Sequence, residues 1–177
     1  MKKANLILLH MLFTITVVMT HHARATDMQF SGALVAEPCV IAPGKENIDL
    51  YFGTLADKYL YHNFRSPNKS FSIELTGCTP NVGQSVAVTF TGIENAELTG
   101  LLAIDPGSAA SGIAIGMETA NGLPLKINSL SNKMRLVNGN NDISLRAYVQ
   151  AEKSALKNKK IGLGTFNATA SFTLTYD

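Results

Sequence analysis

The sequence of 177 residues contains no tryptophan and only four histidines. Aromatic platforms are usual at sugar-binding sites, and here they would have to come from residues 51–52 or 59–64, for which core and loop roles are favoured. His62 is the only histidine beyond residue 25. A catalytic or metal-binding histidine needs partners, so we expect His62 to be a loop or partly buried structural residue.

Other chemical signatures are missing as well. The sequence has no phosphate-binding loop and no Gly-x-Ser-x-Gly motif. Its acidic residues are scattered, and nothing marks a catalytic pair, even where Glu94 and Glu97 flank Asn95. We therefore predict no catalytic residue, no metal ligand and no cofactor, and we do not expect an enzyme.

The one long apolar run lies at the start. A short basic segment precedes the run over residues 6–19, and a small-x-small cleavage site follows at residues 23–25. This order is typical of a secretory signal peptide, and about 14 apolar residues are too few for a confident membrane span. We expect residues 1–25 to be removed and the exported chain to begin near Thr26.

The exported chain has no excess of one charge. Removing residues 1–25 from 177 leaves 152, which suits one domain. The loss of Lys2, Lys3 and Arg24 leaves 12 basic residues beside 13 acidic ones. Because these charges are mixed along the chain, no nucleic-acid partner is predicted.

Cysteine is scarce, and both residues, Cys39 and Cys78, lie in the exported part. In an exported protein such a pair is most often a structural disulfide. Closing a loop of about 40 residues restricts the unfolded chain by roughly 4 kcal/mol in the entropy model. A redox pair is the alternative, but the spacing is not Cys-x-x-Cys.

Strand patterns dominate the rest. The last residues, GTFNATASFTLTYD, alternate strictly from Phe166 to Tyr176, which is typical of an amphipathic strand. Similar alternation predicts strands over the following ranges: residues 28–36, 70–75, 85–91, 112–117 and 143–149. Local propensity alone allows a short helix over residues 151–156. The whole pattern predicts an all-β sandwich without repeats or a second domain.

Residues 27–39 at one end of the exported chain, and Gly164 and Tyr176 at the other, resemble the corresponding parts of chaperone–usher fimbrial subunits, the pilins. Residues 27–39, DMQFSGALVAEPC, are similar to the family's N-terminal extension and first cysteine. At the other end, Gly164 and Tyr176 match its glycine fourteen residues from the C-terminus and its penultimate tyrosine. Internal segments at residues 85–92, 112–117 and 145–149 resemble its inner strands.

The resemblance implies an incomplete immunoglobulin-like sandwich that lacks one strand. A periplasmic chaperone would lend a strand to the resulting groove, and the extension of the next subunit would replace it at an outer-membrane usher. The expected parts are a donor strand within residues 26–38 and a pilin domain over residues 39–177. The partners implied are the chaperone, the usher and neighbouring pilin or adhesin subunits in a cell-surface fimbria.

The resemblance also assigns residues to these two strands. The donor strand is expected to use Met28, Phe30, Gly32 and Leu34. The C-terminal strand, which lines the groove and docks the chaperone, is expected to use Gly164, Phe166, Ala168, Ala170, Phe172, Leu174 and Tyr176. The short extension ahead of Cys39 favours a minor, tip-adaptor subunit over a shaft subunit.

Two alternatives stay open at this point. Both terminal strands can belong to one complete, self-contained sandwich. The chain can also be a free-standing, secreted carbohydrate-binding module, which would be a stable monomer, whereas a pilin should need a chaperone or polymerise.

Overall fold

The computed structural model describes residues 27–34, 36–81 and 83–177, so the predicted signal peptide over residues 1–25 lies outside the described residues. The described residues fall into two units, which divide between residues 35 and 36. Within the first unit, residues 27–34 form neither helix nor strand, and all of them are exposed.

The strand predicted over residues 28–36 is thus absent from its described part. Met28, Phe30 and Leu34 are 75%, 88% and 103% exposed. A strand is stable only beside others that satisfy its backbone groups and cover its apolar face. The alternating pattern therefore marks a segment whose strand partner is not supplied within the first unit.

Strands make up most of the second unit. They are β1 (Val40–Ile41), β2 (Lys69–Cys78), β3 (Ser85–Thr91), β4 (Leu102–Ala103), β5 (Ile113–Thr119), β6 (Pro124–Leu125), β7 (Met134–Arg135), β8 (Gly139–Ala151) and β9 (Ser171–Tyr176). Two short helices, α1 (Asp57–Asn63) and α2 (Lys153–Asn158), interrupt them.

The strands form two sheets. The larger has the order β1-β2-β8-β5-β4, with β6 also paired to β5, and the smaller has the order β7-β3-β9. All pairings between these strands are antiparallel. The predicted all-β sandwich is confirmed, and β3 has the predicted bounds.

The core lies between the two sheets. β3 contributes Val86, Val88 and Phe90 to this core, and Ala87 on its other face is buried as well, whereas Thr89 and Thr91 are more exposed. The larger sheet contributes fully buried residues such as Ile73 and Leu145. Burial of each such side chain stabilises the fold by roughly 1.5–3 kcal/mol, and this apolar layer holds the sheets together.

The predicted disulfide is confirmed. Cys39 immediately precedes β1, Cys78 is the last residue of β2, and their sulfur atoms are bonded. Both residues are almost completely buried. The bond fixes the start of the second unit to the end of a central strand.

The prediction that His62 lies in a loop or is partly buried is wrong. His62 lies in the last turn of α1, where it is exposed rather than in a loop or partly buried. Only Leu60 of this seven-residue helix is buried. A helix with a single buried residue leaves no apolar periodicity in the sequence, so the pattern did not reveal it.

The second helix begins slightly further along the chain than local propensity predicts. Strand β8 continues to Ala151, and α2 begins at Lys153 rather than at residue 151. The cross-strand pair of Ile113 with Ala151 holds these residues in the sheet. Tertiary pairing therefore overrides helix propensity at this boundary.

A polar cluster covers the face of the larger sheet that points away from the core. Glu118 is 5% exposed and accepts hydrogen bonds or ion pairs from Arg65 (3.2 Å), Arg146 (3.1 Å) and Asn68 (2.8 Å). The guanidinium of Arg65 also lies 4.1 Å from the ring centroid of Tyr148. These contacts pair the buried carboxylate of Glu118 with two guanidinium groups and one side-chain amide.

We predict that Gly116→Ala destabilises the domain by about 1–3 kcal/mol. A Cβ at this position would lie 2.2 Å from Cζ of Tyr148, whose ring covers the glycine. The matched control is Gly107→Ala, because nothing lies within 4 Å of that Cβ position. Urea unfolding of both variants measures the difference, and equal midpoints would contradict the close packing of Tyr148 on Gly116.

Candidate functional site: the open edge of the terminal strand

Strand β9 has a hydrogen-bonded neighbour on one side only among the described residues, and that neighbour is β3. Ser85 and Asp177 exchange two backbone hydrogen bonds. Because such pairs alternate along an antiparallel ladder, Thr173 and Thr175 also bond β3, whereas the residues between them point their backbone groups the other way.

The outward-directed backbone groups belong to Phe172, Leu174 and Tyr176. No backbone hydrogen bond within the described part of the chain reaches their N–H and C=O groups. An edge of this kind is a template for the addition of another strand. The last strand of the chain is therefore open on one side.

The apolar face of this strand is covered incompletely. Phe172, Leu174 and Tyr176 are partly buried and pack against the core, while the flanking residues of β9 are exposed. In contrast, the paired residues Val86 and Val88 of β3 are 1% and 2% exposed. Another element would have to cover the inner face of β9 before its side chains were buried as fully as Val86 and Val88 of β3.

The alternation extends upstream of β9, as the sequence predicts, although β9 itself begins at Ser171 rather than at Phe166. Phe166, Ala168 and Ala170 are partly buried, and the residues between them are exposed. Backbone hydrogen bonds hold this stretch in place, because the N–H groups of Asp105 and Ala109 donate to the carbonyls of Asn167 and Thr165. It prolongs the same apolar face.

A second apolar segment faces the core near this edge and was not predicted. Its side chains Ile48, Leu50, Phe52 and Leu55 are partly buried against the core. No backbone hydrogen bond in the described part of the chain involves residues 48–55. The alternation of Ile48, Leu50 and Phe52 with polar residues or tyrosine was the signal that could have identified it.

The two segments meet at one end and approach at the other. The rings of Phe52 and Phe166 have centroids 6.1 Å apart. At the opposite end, burial and the charge of Glu37 raise the pKa of Tyr176. Near the same end, a Cβ on Gly83 would lie 2.5 Å from the ring of Pro38 and 3.3 Å from the carbonyl oxygen of Asp177, so these two residues are neighbours. Residues 38–52 and 166–177 therefore run in opposite directions. We call the apolar strip between them the groove.

Gly164 shows why a glycine precedes this strand. Its φ is +143°, which residues with a side chain rarely adopt. A Cβ there would also lie 2.6 Å from the Cβ of Ala109. The glycine lets the chain pass close to residues 109–110 and enter the edge of the smaller sheet.

The predicted site residues divide into two groups. The C-terminal set from Phe166 to Tyr176 shares one partly buried face, with Gly164 at its base. The donor set, Met28, Phe30, Gly32 and Leu34, is exposed in the first unit. Its role as a donor stays a prediction.

Neither a metal centre nor a membrane-spanning helix is found in the described residues. Among these residues, no group of three or more histidine, cysteine, aspartate or glutamate side chains could hold a metal ion. None of their helices is long and apolar enough to cross a membrane.

Comparison with known proteins gives the family. The model of the fimbrial protein family matches residues 28–177. The uncharacterized fimbrial-like protein YfcP of Escherichia coli K12 is 34% identical over 160 residues, which cover 89% of this chain and 86% of YfcP. The fimbrial adapter PapK of Escherichia coli is 37% identical over 160 residues, covering 87% and 89%.

A solved structure has the same fold. The P pilus rod subunit PapA matches with a TM-score of 0.69 and 25% identity, over 80% of this chain and all of PapA. The fold is thus that of an immunoglobulin-like pilin sandwich with an open edge.

The chain belongs to the fimbrial protein family. It is a structural subunit of a chaperone–usher fimbria at the cell surface, where such subunits assemble with their neighbours, and it is not an enzyme. Family membership argues against a free-standing carbohydrate-binding module. Adaptors and rod subunits both occur among its relatives, so the family alone does not give its position in the fibre.

Proposed function

We propose that this chain is a minor subunit of the fimbrial tip that assembles by donor-strand exchange. A periplasmic chaperone first places a strand in the groove. At the outer-membrane usher, the N-terminal extension of another subunit then replaces that strand. The chain's own extension enters the groove of its other neighbour in the same way.

The observation that carries this proposal is the open edge of β9. Three residues of that strand, Phe172, Leu174 and Tyr176, direct unpaired backbone groups outward and keep partly exposed apolar side chains beside them. Strand addition uses main-chain hydrogen bonds for affinity and alternate side chains for fit. An added strand would pair these backbone groups and cover these apolar side chains at the same time.

The exposed extension supports the donating half of the proposal. Met28, Phe30 and Leu34 would each contribute roughly 1.5–3 kcal/mol on burial, and each main-chain hydrogen bond roughly 0.5–1.5 kcal/mol, before the cost of ordering the segment. Pro38 and the disulfide at Cys39 end the segment at the second unit. The extension is therefore short and leads directly into a fixed domain.

The adaptor position is supported by this short extension and by the similarity to the adapter PapK. In that position the subunit joins an adhesin to the fibre or extends a short tip, and so contributes to adhesion. Immunogold labelling of fimbriae from the producing bacterium tests the position. We expect label at or near fibre ends, and label along the whole shaft would contradict the adaptor role.

We predict that Gly32→Leu blocks donation by this subunit without harming its own fold. Nothing lies within 4 Å of the Cβ position of Gly32. In a neighbour's groove the added side chain would overpack the site by roughly 1–3 kcal/mol, which slows or weakens insertion about tenfold or more. Strand exchange is followed by mixing the chaperone-bound variant with a chaperone-bound preceding subunit.

The matched control is Ala33→Leu, which adds a side chain to the opposite face of the same segment. The control should exchange at close to the wild-type rate. Normal exchange by Gly32→Leu would overturn the donor role of this face. Loss of the variant's own chaperone complex would instead place Gly32 in internal packing.

A further inference from the structure

We infer that one surface of this subunit binds a sulfated polysaccharide. The surface lies on helices α1 and α2 and on the residues that follow α2, and we call it the lysine patch. Its positive charges are Lys58, Lys153, Lys157, Lys159 and Lys160, all of which are exposed. This inference goes beyond the proposed function and does not depend on strand exchange.

Hydrogen bonds place the two helices next to each other. The N–H of Ala151, which precedes α2, donates to the carbonyl of Phe64 at 3.0 Å. The N–H of Ile161, which follows α2, donates to the phenolic oxygen of Tyr61 at 3.0 Å. The chain is thus joined to α1 on both sides of α2, so the exposed residues of both helices lie at the same end of the sandwich.

The apolar side chains of both helices are used inside the domain. Leu60 of α1 and Ala155 of α2 are buried, and Leu156 packs against the core. The other residues of these two helices are exposed or partly exposed. The lysine patch is therefore the polar side of two anchored helices, and neither described helix keeps a continuous apolar face that could enter a membrane.

Positive charge is concentrated at this place. Residues 57–64 and 151–163 contain five lysines and two carboxylates, a formal charge of +3 with His62 neutral. The rest of the exported chain contains seven basic and 11 acidic residues, a formal charge of −4. Clustered charge of one sign attracts polyanions even when the whole protein is nearly neutral.

The lysines of the patch are available to a ligand. Within the described part of the chain, no carboxylate forms an ion pair with any of the five. Two acidic side chains beside α2 are already held by other groups, because Glu97 accepts from the N–H of Ser154 at 3.0 Å and Glu152 accepts from the amide of Asn95 at 2.7 Å. The ammonium groups can therefore donate their hydrogen bonds to an incoming anion.

Apolar side chains lie among these charges. Tyr59 and Phe64 are 44% and 61% exposed, and Leu163 is 72% exposed. The sequence favoured core or loop roles for the aromatic residues of this segment, but both of these rings are open to solvent. Aromatic platforms are usual at sugar-binding sites, and exposed apolar groups rimmed by polar residues mark binding surfaces. Rings that stack on sugars, beside lysines that pair with sulfates, suit a sulfated polysaccharide.

The absence of arginine distinguishes this surface from a nucleic-acid site. Arginine is the residue of choice for phosphate and nucleic-acid recognition, because its planar group binds two oxygens at once. Residues 57–64 and 151–163 contain no arginine. The lysine ammonium is a compact point charge on a flexible stem, which suits sulfate groups at variable spacing. A subunit of a cell-surface fimbria would meet such polysaccharides outside the cell.

Isothermal titration calorimetry of the exported chain with a heparin octasaccharide tests the inference. The patch variant is Lys157→Gln/Lys159→Gln/Lys160→Gln, and thermal melting confirms that it is folded. We expect it to bind about tenfold more weakly than wild type, because three charged contacts are lost.

The matched control is Lys45→Gln/Lys126→Gln/Arg135→Gln, which removes three exposed charges elsewhere and has the same net charge as the patch variant. It should bind within about twofold of wild type. Equal losses in the two triple variants would overturn the inference, because overall charge and not the patch would then explain the binding.

Ligand specificity is measured separately from the charge variants. The probes are the same octasaccharide after desulfation, a single-stranded oligonucleotide and phosphatidylglycerol vesicles, and each should bind wild type at least about tenfold more weakly than the sulfated octasaccharide. Equal or tighter binding of any of these probes would overturn the inference. Tyr59→Ala keeps every charge and should bind the sulfated octasaccharide at least about threefold more weakly. Its unchanged affinity would overturn a sugar as the ligand.

Incorporation into fimbriae separates this inference from the proposed function. The patch variant should enter fimbriae at the wild-type level, because the residues of the patch lie outside the groove. Failure to enter fimbriae with wild-type affinity for the octasaccharide would assign the patch to a neighbouring subunit and overturn the inference. Normal incorporation of a wild-type chain that does not bind the octasaccharide would overturn the inference and leave the proposed function in place.

Discussion

Deleting Tyr176 and Asp177 is expected to abolish incorporation of the subunit into fimbriae and to lower its exported yield several-fold. Asp177 forms backbone hydrogen bonds with Gln84 and Ser85, and its carboxylate pairs with Lys133. The three backbone bonds contribute roughly 0.5–1.5 kcal/mol each. Without these bonds, the last residue pairs of the β3–β9 ladder are no longer held together.

The deletion also removes one inward-facing side chain of the groove. Tyr176 is partly buried beside the core and directs its backbone groups outward. A donor strand from the chaperone would lose both its hydrogen bonds and its apolar contact there, which weakens capture and exposes the chain to proteolysis.

The measurements are exported yield and chaperone co-purification. Tyr176→Phe is the control, because it keeps the backbone and the ring while removing only the hydroxyl group. It should retain most of the yield and the complex. Unchanged yield and unchanged co-purification of the deletion variant would favour a complete, self-contained sandwich.

Cys39→Ser is expected to destabilise the domain by about 2–5 kcal/mol and to reduce exported yield strongly. The disulfide closes a separation of 39 residues, and both cysteines are buried. In the entropy model the cross-link restricts the unfolded chain by roughly 4 kcal/mol. It also fixes the point where the extension joins the domain, so its loss should slow donation by this subunit.

Urea unfolding of the variant and of wild type under oxidising conditions measures the loss. The double variant Cys39→Ser/Cys78→Ser is the control, because it removes the disulfide without leaving an unpaired thiol. Both variants should have similar midpoints, well below that of wild type. Two free thiols in purified wild-type protein would contradict the assignment.

Sequence patterns were sufficient for the strands that lie across the core. The alternation of Val86, Val88 and Phe90 predicted the observed bounds of β3, because these three side chains pack on the core. The same logic predicted the partly buried face from Phe166 to Tyr176. Period-two patterns are informative wherever one side of a strand is covered.

Elements with a weak apolar pattern were missed. Helix α1 buries only Leu60, and its aromatic residues are more typical of a strand or a loop than of a helix. The segment with Ile48, Leu50 and Phe52 alternates, but it forms no strand because no described neighbour bonds its backbone. The groove lies between two segments that are distant in sequence. Local patterns therefore identify each segment but do not predict that the two come together in the fold.

The N-terminal extension shows the opposite mismatch, because it has the sequence pattern of a strand but forms no strand. Met28, Phe30 and Leu34 have the pattern of a strand, yet residues 27–34 are exposed and form none. The pattern describes an apolar face without the partner that would bury it. This mismatch agrees with a strand that forms only in another subunit.

Amide hydrogen exchange along β9 tests the central claim most directly, because neighbouring residues of one strand serve as controls for each other. Exchange is measured by NMR on the isolated exported chain as a monomer and compared with exchange-quenched samples of assembled fimbriae. We expect the amides of Thr173 and Thr175, which bond β3, to be protected in both states. The amides of Phe172, Leu174 and Tyr176 should exchange rapidly in the monomer and become protected in the fibre. Equal protection of all five amides in the monomer would contradict an open edge completed by another chain.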